Sequence, residues 1–181
     1  MGLQIADCRL KIGSGIGAVC LACAMSAAVA RAEIIDRVRA VVGGVVITQS
    51  DVTAAIDLGL ASPPQTDDPL AAVLSQLIDR QVMLSEVERY VPPEPAPEAL
   101  DRAAAAVRAR FASEQAFGAA LARSGLDAPR LRQLLRDQLR IDAYLDQRFN
   151  VAPDRRSALV GEWVSGLHRR AEINYLYVQR R

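Results

Sequence analysis

Few residues in this sequence could do chemistry by themselves. There is one histidine, His168, followed directly by Arg169 and Arg170. An imidazole can serve as base, proton shuttle or metal ligand. Each of those tasks needs partners, and no cysteine or carboxylate stands near His168 at motif spacing. The expected place for it is the surface near a helix C-terminus, where a cation suits the helix dipole. Glu86 and Glu88 are two apart and point to different faces of a helix, so they cannot work as a pair. No G-x-S-x-G, P-loop or H-E-x-x-H pattern occurs, and Gly43-Gly44 is too short to cradle a phosphate. The sequence therefore predicts no enzyme, no cofactor and no metal site.

Charge excludes further classes. The 181 residues carry 22 Lys plus Arg against 21 Asp plus Glu, a formal net charge of +1. That balance does not suit a nucleic-acid binder working by phosphate neutralisation or a polybasic membrane-surface protein. Arg132, Arg136 and Arg140 stand four apart on one helix face and could meet acidic partners. The reading preferred is a solvated face partly balanced by Asp137. Half of the chain is apolar (51%), enough for a core.

Residues 1–32 read as a leader to be removed. Arg9 and Lys11 make a short basic start, Ile12 to Ala30 is uncharged and apolar, and Ala30-Arg31-Ala32 matches an A-x-A cleavage site. Cleavage is expected between Ala32 and Glu33. Ala28-Val29-Ala30 is a second possible site, and an uncleaved membrane anchor is the alternative. Cys8, Cys20 and Cys23 all lie in this segment, so residues 33–181 have no thiol or disulfide chemistry. Removing Asp7, Arg9, Lys11 and Arg31 takes the net charge from +1 to about −1. The expectation is export to the periplasm, with no stable membrane insertion after cleavage.

The elements follow from local pattern. Glu33 to Val42 is β-branched and partly alternating, with Val38, Ala40 and Val42 on one face. Gly43-Gly44 turns the chain, and Val45-Val46-Ile47 resumes it, which predicts a hairpin. Thr48 and Asp51 form a capping box for a helix reaching about Leu60, stopped by Ser62-Pro63-Pro64. Asp68-Pro69 opens the next helix, with Leu70, Val73, Leu74, Leu77, Ile78, Leu84 and Val87 as its apolar stripe. The segment from Pro92 to Pro97 is stiff and acts as a spacer. Helices are then predicted from Glu98 to Phe111, from a Ser113 cap to Gly125, from an Asp127 cap through Ala128 to Phe149, and from about Arg155 to Arg170. Leu131, Leu134, Leu135, Leu139, Ile141 and Leu145 should face inward on the third of these. Glu172 to Val178 alternates as a last strand, with Ile173, Tyr175 and Tyr177 on one face. Since a lone hairpin is marginal in water, this strand should pair with it and unite the two ends. The fold class is mostly α with a small β-sheet, in a single domain over residues 33–181.

At this point the pattern resembles a family. The run from Ile34 to Gly43, followed by Val46-Ile47-Thr48-Gln49-Ser50-Asp51-Val52, is similar to the opening of SurA-type periplasmic chaperones. The blocks Leu77 to Leu84, Leu121 to Leu126, Leu131 to Leu139 and Trp163 to Ile173 resemble that family's later helices and closing strand, in the same order. The resemblance implies a multi-helix SurA N-terminal-like domain, of the trigger-factor/SurA peptide-binding type, that holds unfolded outer-membrane proteins. Two departures matter. Gly43-Gly44-Val45 stands where the family commonly has acidic residues. Only Val151 to Asp154 fills the place where the family usually inserts a parvulin-type prolyl isomerase domain, which needs roughly 90 residues or more. Isomerase activity is therefore not implied.

A holdase needs an exposed apolar groove and no cofactor. Met83, Phe111, Phe117 and Tyr144 are candidates to line it, because Met and aromatic side chains adapt to varied partners. The alternative for each is plain core. The expected partners are unfolded or extended polypeptides, and no nucleic acid. The competing function is a secreted helical structural or interaction subunit of an envelope assembly or secretion system.

Overall fold

The computed structural model describes residues 36–63 and 65–176. The expected leader, its Ala32–Glu33 junction, the three cysteines, and Tyr177 and Val178 lie outside the described residues. The order of elements is β1 (Val38–Val42), β2 (Val45–Thr48), α1 (Gln49–Asp57), α2 (Pro69–Arg89), α3 (Pro97–Arg108), α4 (Glu114–Ser124), α5 (Ala128–Arg148), α6 (Pro153–His168) and β3 (Ile173–Tyr175). The protein is thus mostly helical with a small three-stranded antiparallel sheet.

Sheet order is β2-β1-β3. Val42 pairs with Val45 and Ala40 with Ile47 across the hairpin, whose Gly43 and Gly44 both take positive φ, as a primed two-residue turn requires. On its other side β1 pairs with β3, Val42 opposite Ile173 and Ala40 opposite Tyr175. The two ends of the described chain therefore share one sheet. Ala40, Val42 and Ile47 point to the core. Tyr175 shares their face by register but is 59% exposed, out on the edge strand. The expected Glu33 start of β1 is not tested at 33–35, and Asp36 and Arg37 precede the strand.

The helix starts follow their caps. Thr48 accepts from the Asp51 backbone N–H while the Asp51 carboxylate accepts from the Thr48 N–H, a complete capping box. Asp68, Ser113 and Asp127 each accept from a first-turn N–H. Gly125 closes α4 in the left-handed region (φ 67°), the conformation Gly adopts without a Cβ clash. Other boundaries differ from expectation. α1 stops at Asp57, not Leu60, because Gly59 takes φ 64° and breaks it before the prolines do. α3 begins with Pro97 as its first-turn residue and ends at Arg108, so Phe111 lies in the turn beyond it. α6 starts at Pro153 and ends at His168.

Helix α2 is the axis of the packing. Its Val73, Leu74, Ile78 and Val82 meet Ala40, Val42 and Ile47 of the sheet, Val52 and Ala55 of α1, and Leu167 of α6. A second cluster joins Leu58 to Leu100, Val107, Phe117, Ala120, Leu131 and Leu135 from α3, α4 and α5. A third, smaller one joins Val87 to Ile141 and Tyr144. Leu70 was expected on the buried stripe of α2 but is 41% exposed, since it sits in the first turn beyond the reach of α1. The arginine row on α5 is not simply solvated. Arg132 reaches Asp101 of α3 (2.8 Å) and Arg136 reaches Glu94 of the proline-rich spacer (3.6 Å), while Asp137 accepts from Gln133 (2.8 Å). These pairs are exposed and contribute little to stability.

Candidate functional site

The four candidate groove residues do not converge. Phe117 is 6% exposed and sits inside the second cluster, with the half-buried Phe111 ring 5.5 Å away. Tyr144 is 8% exposed in the third cluster, between Tyr90 (5.5 Å) and Trp163 (5.7 Å). Burial raises its phenol pKa, against the opposing pull of the Arg148 guanidinium. The expectation that Phe117 and Tyr144 line an open groove is corrected: the apolar faces of α4 and α5 that carry them are turned into helix contacts. Phe111 packs against the rim of the second cluster. Of the four, Met83 lines an opening.

That opening is an open cavity of about 960 Å³ between α2, α5 and α6. Met83, Leu145, Val160 and Val164 form its apolar wall, and Asp79, Arg156 and His168 its polar margin. α2 supplies Asp79 and Met83 four residues apart, hence on one face. Val160, Val164 and His168 recur every four residues along α6 and line the facing side. His168 is the last residue of α6, near a helix C-terminus as expected, and is half-buried there. Its Nε2 lies 2.7 Å from Asp79 Oδ1, so it has an acidic partner, and the partner comes from another helix. The pair ties the end of α6 to the middle of α2.

A second recess, a groove of about 160 Å³, lies between β2, α1, α2 and α5. Its apolar lining includes Val45, Val46, Leu60, Leu77, Leu84 and Leu134. Arg80 crosses its floor and donates to the Leu134 carbonyl. Burial lowers the Arg80 pKa, the Asp137 charge raises it, and Arg130 lowers it again. Arg80 Nε is buried without a hydrogen-bond partner. Sequence reasoning assigned Arg80 no role, since an Arg four residues before Leu84 looks like any polar helix position. The only local hint was that both Leu77 and Leu84, flanking it on the same face, are apolar.

Both recesses can bury apolar side chains. Among the described residues no group of three or more His, Cys, Asp or Glu is placed to hold a metal. No helix among them is long and apolar enough to cross a membrane. Compared with known proteins, the chain matches no family model and no curated protein. The likeness to SurA-type chaperones rests on the sequence blocks given above.

Proposed function

We propose that the protein is a periplasmic holdase-type chaperone that binds unfolded or extended polypeptides, such as outer-membrane proteins, and has no isomerase activity. The observation that carries this reading is the pair of apolar recesses opening along α2, one lined by Met83 and the other by Arg80. Solvent-facing apolar concavities of this kind serve to bury a partner's side chains. Helices α5 and α6 are joined by residues 149–152 alone, which leaves no room for an inserted catalytic domain. The basic start, apolar run and A-x-A site support export and cleavage before Glu33.

Affinity should be micromolar or weaker, near −8 kcal/mol or less favourable. Since no ion pair anchors the client, binding should survive moderate salt. One experiment covers the proposal. Protein purified from the envelope fraction is weighed by mass spectrometry, then mixed at stoichiometric amounts with an unfolded outer-membrane barrel and assayed in parallel for prolyl isomerisation. The expected results are a chain starting at Glu33, slower aggregation, no isomerase turnover, and weaker protection by Met83→Asp. A folded sample that protects none of several unfolded clients but co-purifies with one partner would instead identify a dedicated subunit.

A further inference from the structure

We propose that the outer edge of β2 is a strand-addition site. An extended segment of an unfolded polypeptide pairs with the backbone of Val46 and sets alternate apolar side chains into the groove between β2, α1, α2 and α5. The inference rests on the chaperone reading above and specifies where the client sits and in what conformation.

The hydrogen-bond phase of the sheet identifies the open groups. On its β3 side, β1 uses Arg39 and Gly43: Leu176 N–H donates to Arg39 O (2.9 Å) and Gly43 N–H donates to Glu172 O (2.9 Å). Odd-numbered residues of β1 thus bond β3, and Ala40 and Val42 bond β2 through their partners Ile47 and Val45. Bonding alternates along a strand. Val46, opposite Val41, therefore turns its N–H and C=O away from β1, to the free edge. The next outward N–H, of Thr48, is taken by the Asp51 carboxylate (2.8 Å). Among the described residues, what remains open on the edge is the stretch around Val46, bordering the groove that Val45, Val46 and Ile47 help to line.

Apart from its four-residue length, this edge carries no chemical protection. Proteins blunt edge strands with Lys, Pro, inward charges or bulges on the edge strand itself. Val45-Val46-Ile47-Thr48 has no charge and no proline, and the one irregularity in the ladder falls between Val38 and Ala40 of β1. Val45 and Val46 are 45% and 48% exposed. The charges in the groove are paired in sign, Arg80 and Arg130 with Asp51 and Asp137, so the local field selects neither an anion nor a cation. Backbone dipoles and apolar surface are left as the recognising chemistry. An extended chain supplies both: its main chain completes the ladder, and its period of two turns every other side chain to one face. A groove of about 160 Å³ seats individual side chains rather than a folded partner.

The test uses the full chain and a short fluorescent peptide alternating valine and threonine, in normal form and with N-methyl groups on the alternate residues that would face β2. Val46→Pro removes the outward N–H without touching the bonds to β1, and Val46→Ala keeps it. Fluorescence anisotropy should show the normal peptide binding the native chain and Val46→Ala alike, and Val46→Pro roughly tenfold more weakly, the loss of one hydrogen bond with the peptide carbonyl left unpaired. The methylated peptide should bind the native chain weakly, and this arm stands even if Val46→Pro fails to fold. Equal binding of both peptides by the native chain would overturn strand addition while leaving groove binding intact. Absence of binding by either peptide to a folded chain would overturn both. If the native chain is a dimer that Val46→Pro converts to a monomer, and the peptide does not compete, the edge belongs to a second copy and the proposal is wrong.

Discussion

Around the sheet, the core draws on residues far apart in the chain. Ala40, Val42 and Ile47 from its first strands meet α2 and, 125 positions beyond Val42, Leu167 of α6. On the opposite side, the cluster of Leu100, Val107, Phe117, Ala120, Leu131 and Leu135 comes from one continuous stretch, joined from outside it by Leu58 and, at its margin, Leu60. The polar chemistry divides the same way. Asp79 with His168 and the open β2 edge belong to the long-range side, whereas α3 and α4 supply no lining residue to either recess. The contrast teaches that α3 and α4 act as a scaffold, while α5 and the side built from distant segments line the recesses.

The strongest way to break the contrast is to remove residues 171–181. This strips β3 from β1 and takes Ala171 and Ile173 off the first cluster. Loss of a strand and its packing should cost a large share of the ~5–15 kcal/mol available to a domain. Emission of Trp163, which packs on the first and third clusters, should melt well below the far-UV helix signal. Coincident transitions at the native temperature would show that β3 contributes nothing and that the two sides are not separable.

A smaller effect should come from the joint between them. Gly59 takes φ 64°, and Arg110, in the turn after α3, donates to the carbonyls of Leu58 (3.1 Å) and Gly59. A Cβ at this position would run into the Arg110 guanidinium. Gly59→Ala should therefore destabilise by about 1–2 kcal/mol, from left-handed strain alone, and by more if Arg110 is displaced. The check is urea denaturation followed by both signals: a joint shifts both, and a shift confined to one would place Gly59 in one side only.

The smallest effect concerns acid. Burial tends to raise the Asp36 pKa, but hydrogen bonds from the Ser50 and Thr48 side chains and the Ser50 and Arg37 backbone together hold it below its ordinary value. A carboxyl depressed in the folded state stabilises above its unfolded pKa of about 3.9 and loses that contribution as pH falls through the folded value. Asp36 is exposed, so the effect is slight. Protection of the amides at the start of α1, relative to their intrinsic exchange at each pH, should fall below about pH 4 in the native chain and less so in Asp36→Asn. An equal response in both would remove Asp36 from the account.

What the sequence made legible was local. The caps at Thr48, Asp68, Ser113 and Asp127, the Gly43-Gly44 turn and the Gly125 stop each depend on a few adjacent residues, and each stands where it was read. The return of the last strand was legible as well, because an unpartnered hairpin demands a mate. The lining of the recesses was not. His168 and Asp79 lie 89 positions apart, and nothing in their spacing announces contact. Phe117 and Tyr144 looked like adaptable groove linings because side-chain type alone does not say which helix face is covered. Gly59 ended α1 ahead of the prolines as a left-handed stop of the kind Gly125 provides, a local signal masked by the stronger breaker Ser62-Pro63-Pro64 beyond it.

The adjacency of β1 and β3 also has a kinetic side. Pairing Val42 with Ile173 in an otherwise open chain closes a loop of more than a hundred residues, an entropic cost of about 4 kcal/mol. The few bonds of a three-residue strand cannot offset that early. The intervening helices must first shorten the path, so the third strand joins last and marks the molecule as complete. Until it does, β1 shows both sequence neighbours and strangers a vacant edge, and the unfinished protein resembles the extended chains it is proposed to hold.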